Sequence, residues 1–231
     1  MQGNNENLRI LARRAMETGD YTGAASYYRQ ILMIDPNDWE GMFYEAYCSM
    51  ADFSVASISA NANRLSMVFK NAYEKFLMDI ALKKAQDSSF DMTVPMKRLS
   101  RDITTLLLAM KRSAIDFSHK SSGNYAETER RLYALGSAAL EIGDVYYSHK
   151  HKAMAANFYK LAQTLMNGAY NIGENTVRRI QEVDPAFSLQ KQVPSPQTNM
   201  KAWLKSFLKW FGIFFGIPYL CFLIYTIISN Q

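Results

Sequence analysis

Few side chains in this 231-residue chain belong to the types that carry covalent or metal chemistry. The histidines are His119, His149 and His151. An HxH pair on a helix sends its two rings in different directions. Flanked by Lys150 and Lys152, it reads as a solvated basic helix end rather than a metal site. Cys48 and Cys221 are too few and too far apart for a disulfide framework or a zinc ligand set, which fits a reducing cytoplasm. Glu127, Glu129, Arg130 and Arg131 read as a charged helix face, not as an acid/base pair. A phosphate loop, a GxSxG elbow, an HExxH motif and cysteines paired at ligand spacing are all missing. The sequence therefore predicts a protein that is not an enzyme and uses no cofactor. Its work must be done by surfaces.

The elements that would present such surfaces fall into two kinds. The first is Trp210 to Ile228, WFGIFFGIPYLCFLIYTII, a run without a charged residue. As a helix rising 1.5 Å per residue it would span roughly 28 Å, close to the hydrocarbon thickness of a bilayer. Residues 210–228 are therefore expected to form a single transmembrane helix, kinked near Pro218, where a backbone hydrogen bond is lost. Gly212 and Gly216 form a GxxxG pair, through which two such helices could associate into a homo-oligomer. Residues 201–209 precede the span as a basic juxtamembrane segment. Lys201, Lys205 and Lys209 lie on one helical stripe, and Trp203 and Trp210 stand among apolar neighbours, which suits contact with anionic headgroups. Positive charge before the span and none after it places the N-terminal part in the cytoplasm. The uncharged Ser229-Asn230-Gln231 fits a bacterial inner membrane or an endoplasmic reticulum better than a mitochondrial outer membrane.

The formal net charge is +5. Three of the surplus charges are those juxtamembrane lysines, so the remainder is nearly neutral and a nucleic-acid partner is not expected. The start, MQGNNENLRILARR, has no apolar core of a secretory signal, which leaves targeting to the C-terminal run. Residues 185–200, PAFSLQKQVPSPQTNM, carry Pro194 and Pro196 and little apolar content, and are expected to be a linker.

The second kind of element fills residues 1–184, which show apolar spacing of helical period throughout and are expected to form one cytoplasmic all-α domain. Leu8 to Asn37 reads as a helical hairpin broken at Gly19-Asp20, and Trp39 to Met50 as the next helix, starting from the Asn37-Asp38 cap. Ser57 to Lys84 places Ile58, Leu65, Val68, Phe69, Ala72, Phe76, Leu77 and Ile80 on one stripe. Met96 to Phe117 does the same with Leu99, Ile103, Leu106, Leu107 and Met110 after an interruption at Gln86 to Pro95. From Ala126 to about His149, Leu132, Leu135, Gly136, Ala139 and Ile142 face one side. The aromatic residues Tyr27, Tyr28, Phe43, Tyr44, Tyr47, Tyr146, Tyr147, Phe158 and Tyr159 are expected mostly in the core.

In the first hairpin Leu11-Ala12, Gly19-Asp20-Tyr21, Ala24, Tyr28, Leu32, Ile34 and Asp35-Pro36-Asn37 stand at the spacing of the tetratricopeptide repeat, which this segment resembles. Leu8, Ala15 and Ile31 depart from the family in size without breaking the pattern. In this reading small Ala12 and Ala24 let the paired helices approach, and Pro36 ends the second arm. Weaker likeness recurs later. Leu135-Gly136 and Gly143-Asp144 resemble a first arm and its turn, with Ala155, Tyr159 and Ala162 on a second arm displaced by about two helical turns. Gly168 to Pro185 matches Gly19 to Pro36 in length. The resemblance implies repeat-like hairpins and longer helices in a right-handed array or an irregular bundle. It also implies a groove lined by first arms, whose matching places here hold Arg9, Arg13 and Met16. Two arginines one turn apart suit an acidic peptide or helix as partner.

The function expected from these features is that of a membrane-tethered adaptor or scaffold, with a protein partner on the domain and the lipid bilayer around the tail. The alternative is a membrane-shaping or self-assembling tail-anchored protein that oligomerises through its tail and interfacial helix.

Overall fold

The computed structural model describes residues 2–120, 125–166 and 173–188. These belong to one unit, and no strand occurs among them. The predicted span and its flank, with Lys201, Trp203, Lys205, Lys209, Trp210 and Pro218, lie outside the described residues. No helix among the described residues is long and apolar enough to cross a membrane.

Eight helices follow one another in the described residues: α1 (Gln2–Glu17), α2 (Tyr21–Ile34), α3 (Trp39–Ala51), α4 (Ile58–Gln86), α5 (Thr93–Lys120), α6 (Tyr125–Ser148), α7 (Lys152–Leu165) and α8 (Glu174–Gln181). Local chemistry sets their ends. The Asp20 carboxylate accepts the Gly23 N–H at 2.8 Å at the start of α2, and Asp38 accepts the Gly41 N–H at 2.7 Å at the start of α3. Each satisfies an amide that the helix start leaves without a partner. Asp91 does the same for the Thr93 amide at the start of α5, and Asp87 accepts the Ser89 amide within the loop between α4 and α5. Pro95 sits in the first turn of α5, where its missing N–H removes no helical bond. Pro36 stands exposed in the α2–α3 connection.

The expected stripes are buried. Ile58, Leu65, Phe69, Ala72, Phe76 and Ile80 of α4, Leu99, Ile103, Leu106, Leu107 and Met110 of α5, and Leu132, Leu135, Ala139 and Ile142 of α6 all face the core. Val68 and Leu77 are half-buried against it. Successive helices pack on one another in the way a helical repeat requires: α1 on α2, α2 on α3, α3 on α4, α6 on α7 and α7 on α8. The order breaks once. α4 packs extensively on α6 and little on α5. The two run parallel, Phe69 and Tyr73 meeting Tyr146 at 5.3 and 5.0 Å between ring centroids, because α5 makes the return pass between them. α5 itself crosses the middle of the unit. Ser100 bonds the Tyr146 hydroxyl at 2.7 Å, and Asp102 accepts the Tyr44 hydroxyl at 2.8 Å.

One turn differs from expectation. Gly143-Asp144 does not break a hairpin; both residues lie inside α6, which runs on to Ser148. The turn comes at Lys150-His151. There the Lys150 and His151 amides bond back to Tyr147 and Tyr146 carbonyls at 3.0 and 2.9 Å, as the Gly19 and Asp20 amides bond to Met16 and Ala15 at 3.1 and 2.8 Å. Both are left-handed helix stops, with Gly19 at φ 80° and Lys150 at φ 64°. With the turns superposed, the second hairpin repeats the first 131 positions later. Gly143 stands for Ala12, Ala155 for Ala24, Tyr159 for Tyr28 and Ala162 for Ile31, with no displaced arm. A lysine at the turn hid this register, since glycine is the residue expected at positive φ. α7 is therefore a second arm, and α8, packed on it, takes the place that α3 takes on α2, not that of a second arm within Gly168 to Pro185. Residues 167–172 lie outside the described residues.

The repeated positions have a packing reason. A Cβ placed on Gly143 would come within 2.5 Å of the Tyr159 ring, which is fixed by its hydroxyl donating to Asp144 at 2.6 Å. Tyr28 instead aims its hydroxyl at the Met16 sulfur, 3.7 Å away, and Ala12 fits beneath. Substitution Gly143→Val should lower unfolding stability by about 1–3 kcal/mol through overpacking. Gly19→Ala should lower it by about 1 kcal/mol through left-handed strain. Urea midpoints on the purified protein check both.

Candidate interaction cleft

The groove-facing arginines predicted on α1 are held within the protein. Arg13 forks onto the Glu40 carboxylate, with Nε at 2.9 Å and Nη2 at 2.7 and 2.9 Å from its oxygens. Arg9 bonds Asp38 and lies 3.5 Å from Glu40. Glu40 is only 6% exposed and Asp38 8%, so this is a partly buried ion network joining the first helix to the start of the third. Burial alone would lower both guanidinium pKa values. The carboxylates outweigh it, Glu40 at Arg13 and Asp38 at Arg9, and raise both. Met16 is half-buried and packs against the core. An acidic ligand at Arg9 or Arg13 would have to displace carboxylates already in place.

The structural residues of the first hairpin fall where small or turn-forming types are needed. Ala12, Ala24 and Tyr28 are fully buried, Gly19 makes the left-handed stop, Asp20 caps, and Tyr21 opens α2 half-buried. Leu11 is 42% exposed.

Around the ion network two adjoining clefts open. One, of about 390 Å³, is lined by Arg13, Trp39, Glu40, Tyr44, Lys83, Phe90, Asp91, Val94, Pro95 and Arg98. The other, about 520 Å³ and strongly polar, shares Arg13, Trp39, Glu40 and Lys83 with it and reaches Glu6, Asp35 and Lys75. Trp39 divides them. Its indole N–H donates to Asp79 at 2.8 Å and its ring meets Phe76 edge-on at 4.8 Å. Farther along α3 nothing comparable is open among the described residues, because Phe43, Tyr44, Tyr47 and Met50 are buried. Tyr44 is covered by α5 through Asp102 and by the Arg98 guanidinium 5.4 Å above its ring. Burial first, then Asp102, pushes the Tyr44 hydroxyl above its ordinary range, so it serves as a fixed donor.

The side chains whose types could carry chemistry are placed as follows. His149 Nδ1 lies 2.8 Å from the Val145 carbonyl oxygen, and the His149 and His151 rings rest on Tyr73 at 5.3 and 6.3 Å. Burial, then His149, holds His151 below the ordinary histidine value. No metal-binding group of three or more His, Cys, Asp or Glu occurs among the described residues. Cys48 is buried, and burial followed by Glu45 pushes its thiol up to about 12. Arg131, expected on a solvated face, is only 8% exposed and packs over Phe117 with an ion pair to Glu127 at 3.2 Å. The core period on α6 takes it inward.

Glu40 and Arg98 are not singled out in the sequence, and Gln86 to Pro95 is marked there as a loop without a part in a site. The available signal was an acid two residues past a helix cap, facing two arginines spaced one turn apart. Compared with protein-family models the sequence matches none, and no curated protein matches it.

Glu40→Gln should destabilise the protein by about 1.5–3 kcal/mol, because charged hydrogen bonds from Arg13 are lost in a partly buried place. The exposed pair Arg29–Glu45, 2.8 Å apart, should contribute less than about 1 kcal/mol, read with Arg29→Gln. Denaturant unfolding of the two variants side by side separates these magnitudes.

Proposed function

We propose that this protein is a membrane-tethered adaptor whose helical domain docks a protein partner on the cytoplasmic face of a membrane. The observation that carries the reading is the pair of hairpins in one register. Ala12, Ala24, Tyr28 and Ile31 are matched by Gly143, Ala155, Tyr159 and Ala162, each set arranged around a left-handed stop at the same place. Read on that register, the second hairpin resembles the tetratricopeptide repeat as the first does, and proteins built from such repeats are docking surfaces. Apolar Trp210 to Ile228, behind Lys201, Lys205 and Lys209, supplies the anchor in this account, and residues 185–200 the spacer. The residues available to a partner lie around the cleft between α1, α3 and the start of α5. The functional unit needs no chemistry beyond recognition.

A tail exchange tests the proposal. The full chain and a version carrying an unrelated single-span anchor in place of residues 201–231 are purified from membranes in mild detergent. A stoichiometric foreign protein recovered with both supports the adaptor. If recovered proteins follow the native tail, or crosslinking yields a ladder of self-adducts that the exchange abolishes, the membrane-assembling alternative replaces it.

A further inference from the structure

The structure narrows what the docking surface can accept. We propose that the 390 Å³ cleft at the α4–α5 junction binds a short peptide motif in which a bulky apolar side chain stands beside an Asp or Glu, with Arg98 receiving the carboxylate. This deepens the adaptor reading and rests on it.

The cleft is apolar on its walls and basic at its open edge. Trp39, Tyr44, Phe90 and Pro95 form the walls, and Val94 stands on the lip at 63% exposure, in the first turn of α5. An exposed valine flanking an aromatic-walled hollow is where a ligand's apolar group removes surface from water. The cleft is also small. Its volume of about 390 Å³ holds one or two side chains, and the Tyr44–Asp102 hydrogen bond fixes the tyrosine in its wall.

The charges on its rim are not equivalent. Of the three cations, Arg13 is bound to Glu40 and Lys83 to Asp79 at 2.8 Å. Arg98 is different. Among the described residues its guanidinium makes no hydrogen bond. Its nearest carboxylate, Asp102, is 3.9 Å away and already accepts from Tyr44 and Arg101. Packing over the Tyr44 ring orients the guanidinium while its N–H edge remains unused, and the side chain is 36% exposed. The two rim carboxylates are committed in turn. Glu40 is held by Arg13, and Asp91 accepts the Thr93 amide at 2.8 Å. What the rim lacks is an acid opposite Arg98, and that is what the ligand brings.

The test uses acetylated, amidated nonapeptides in a Gly-Ser background. They carry Phe, Leu or Trp at the centre and Asp, Gln or Lys beside it, and are titrated by fluorescence anisotropy against the full chain in detergent micelles. Acidic members should bind saturably, Gln members about tenfold more weakly, and Lys members not at all. Arg98→Gln should erase the preference for acid while keeping dependence on the apolar residue. Val94→Asp should abolish binding, with unchanged circular dichroism for both variants. Absence of saturable binding by any peptide overturns the proposal, as does an acid preference that survives Arg98→Gln, or binding that requires a free terminal carboxylate. A foreign partner recovered in the tail exchange and unaffected by Arg98→Gln also overturns it, while leaving the adaptor reading intact.

Discussion

The architecture depends on the buried stripe of α5. Met96, Leu99, Ile103, Leu106, Leu107, Met110 and Ala114 are each at most 6% exposed, and the helix that carries them packs on α6 and α7 and reaches α3 through the Tyr44–Asp102 hydrogen bond. At about 1.5–3 kcal/mol for each large apolar side chain taken from water, the stripe represents roughly the whole net stability of an ordinary domain. Such a helix is part of the core and cannot act as a removable plug. Because it is there, α4 and α6 run parallel and the second hairpin is separated from the first by a long insertion.

That constraint decides what the surface can offer. A regular stack of hairpins would present a continuous face of first arms, on which an extended peptide could lie. Here α3 is spent on α2 and α4, and α6 on α7, α4 and α5. Phe43, Tyr47 and Met50 are core residues, although their neighbours on α1 still face solvent in part. The opening with aromatic walls is at the end of the unit where α1, the start of α3 and the start of α5 meet. It owes its shape to the ion network of Arg9, Arg13, Asp38 and Glu40. The two arginines that the sequence offered to an acidic ligand are paired with Asp38 and Glu40, and the cation with the loosest pairing, Arg98 at 3.9 Å from Asp102, comes from α5.

The all-α class and nearly every helix were legible because amphipathic period and Asp caps are local signals. Asp20 and Asp38 each sit where a helix begins, and the stripes of α4, α5 and α6 were read residue by residue. The second hairpin was legible in content and misread in register. Gly143 has the look of a turn glycine but is the small residue beneath Tyr159, and Lys150 occupies the left-handed stop that glycine usually fills. The cleft was not legible. The pairing of Arg13 with Glu40, and the position of Arg98 over Tyr44, join residues 27 and 54 positions apart in the chain, and only the path of α5 brings the second pair together.

The central claim is that α5 is an integral core helix, so that a partner meets the cleft at its start and not a groove beneath it. Native-state hydrogen exchange on the full chain in micelles, followed across low denaturant concentrations, tests this directly. The account predicts that amides around Ile103 and Leu107 exchange only through global unfolding, with the same free energy and denaturant dependence as those around Phe69 and Ile142. Exchange of α5 at distinctly lower free energy, while α4 and α6 stay protected, would mean that the helix leaves its place and that the face of α3 is a concealed groove, contradicting the account.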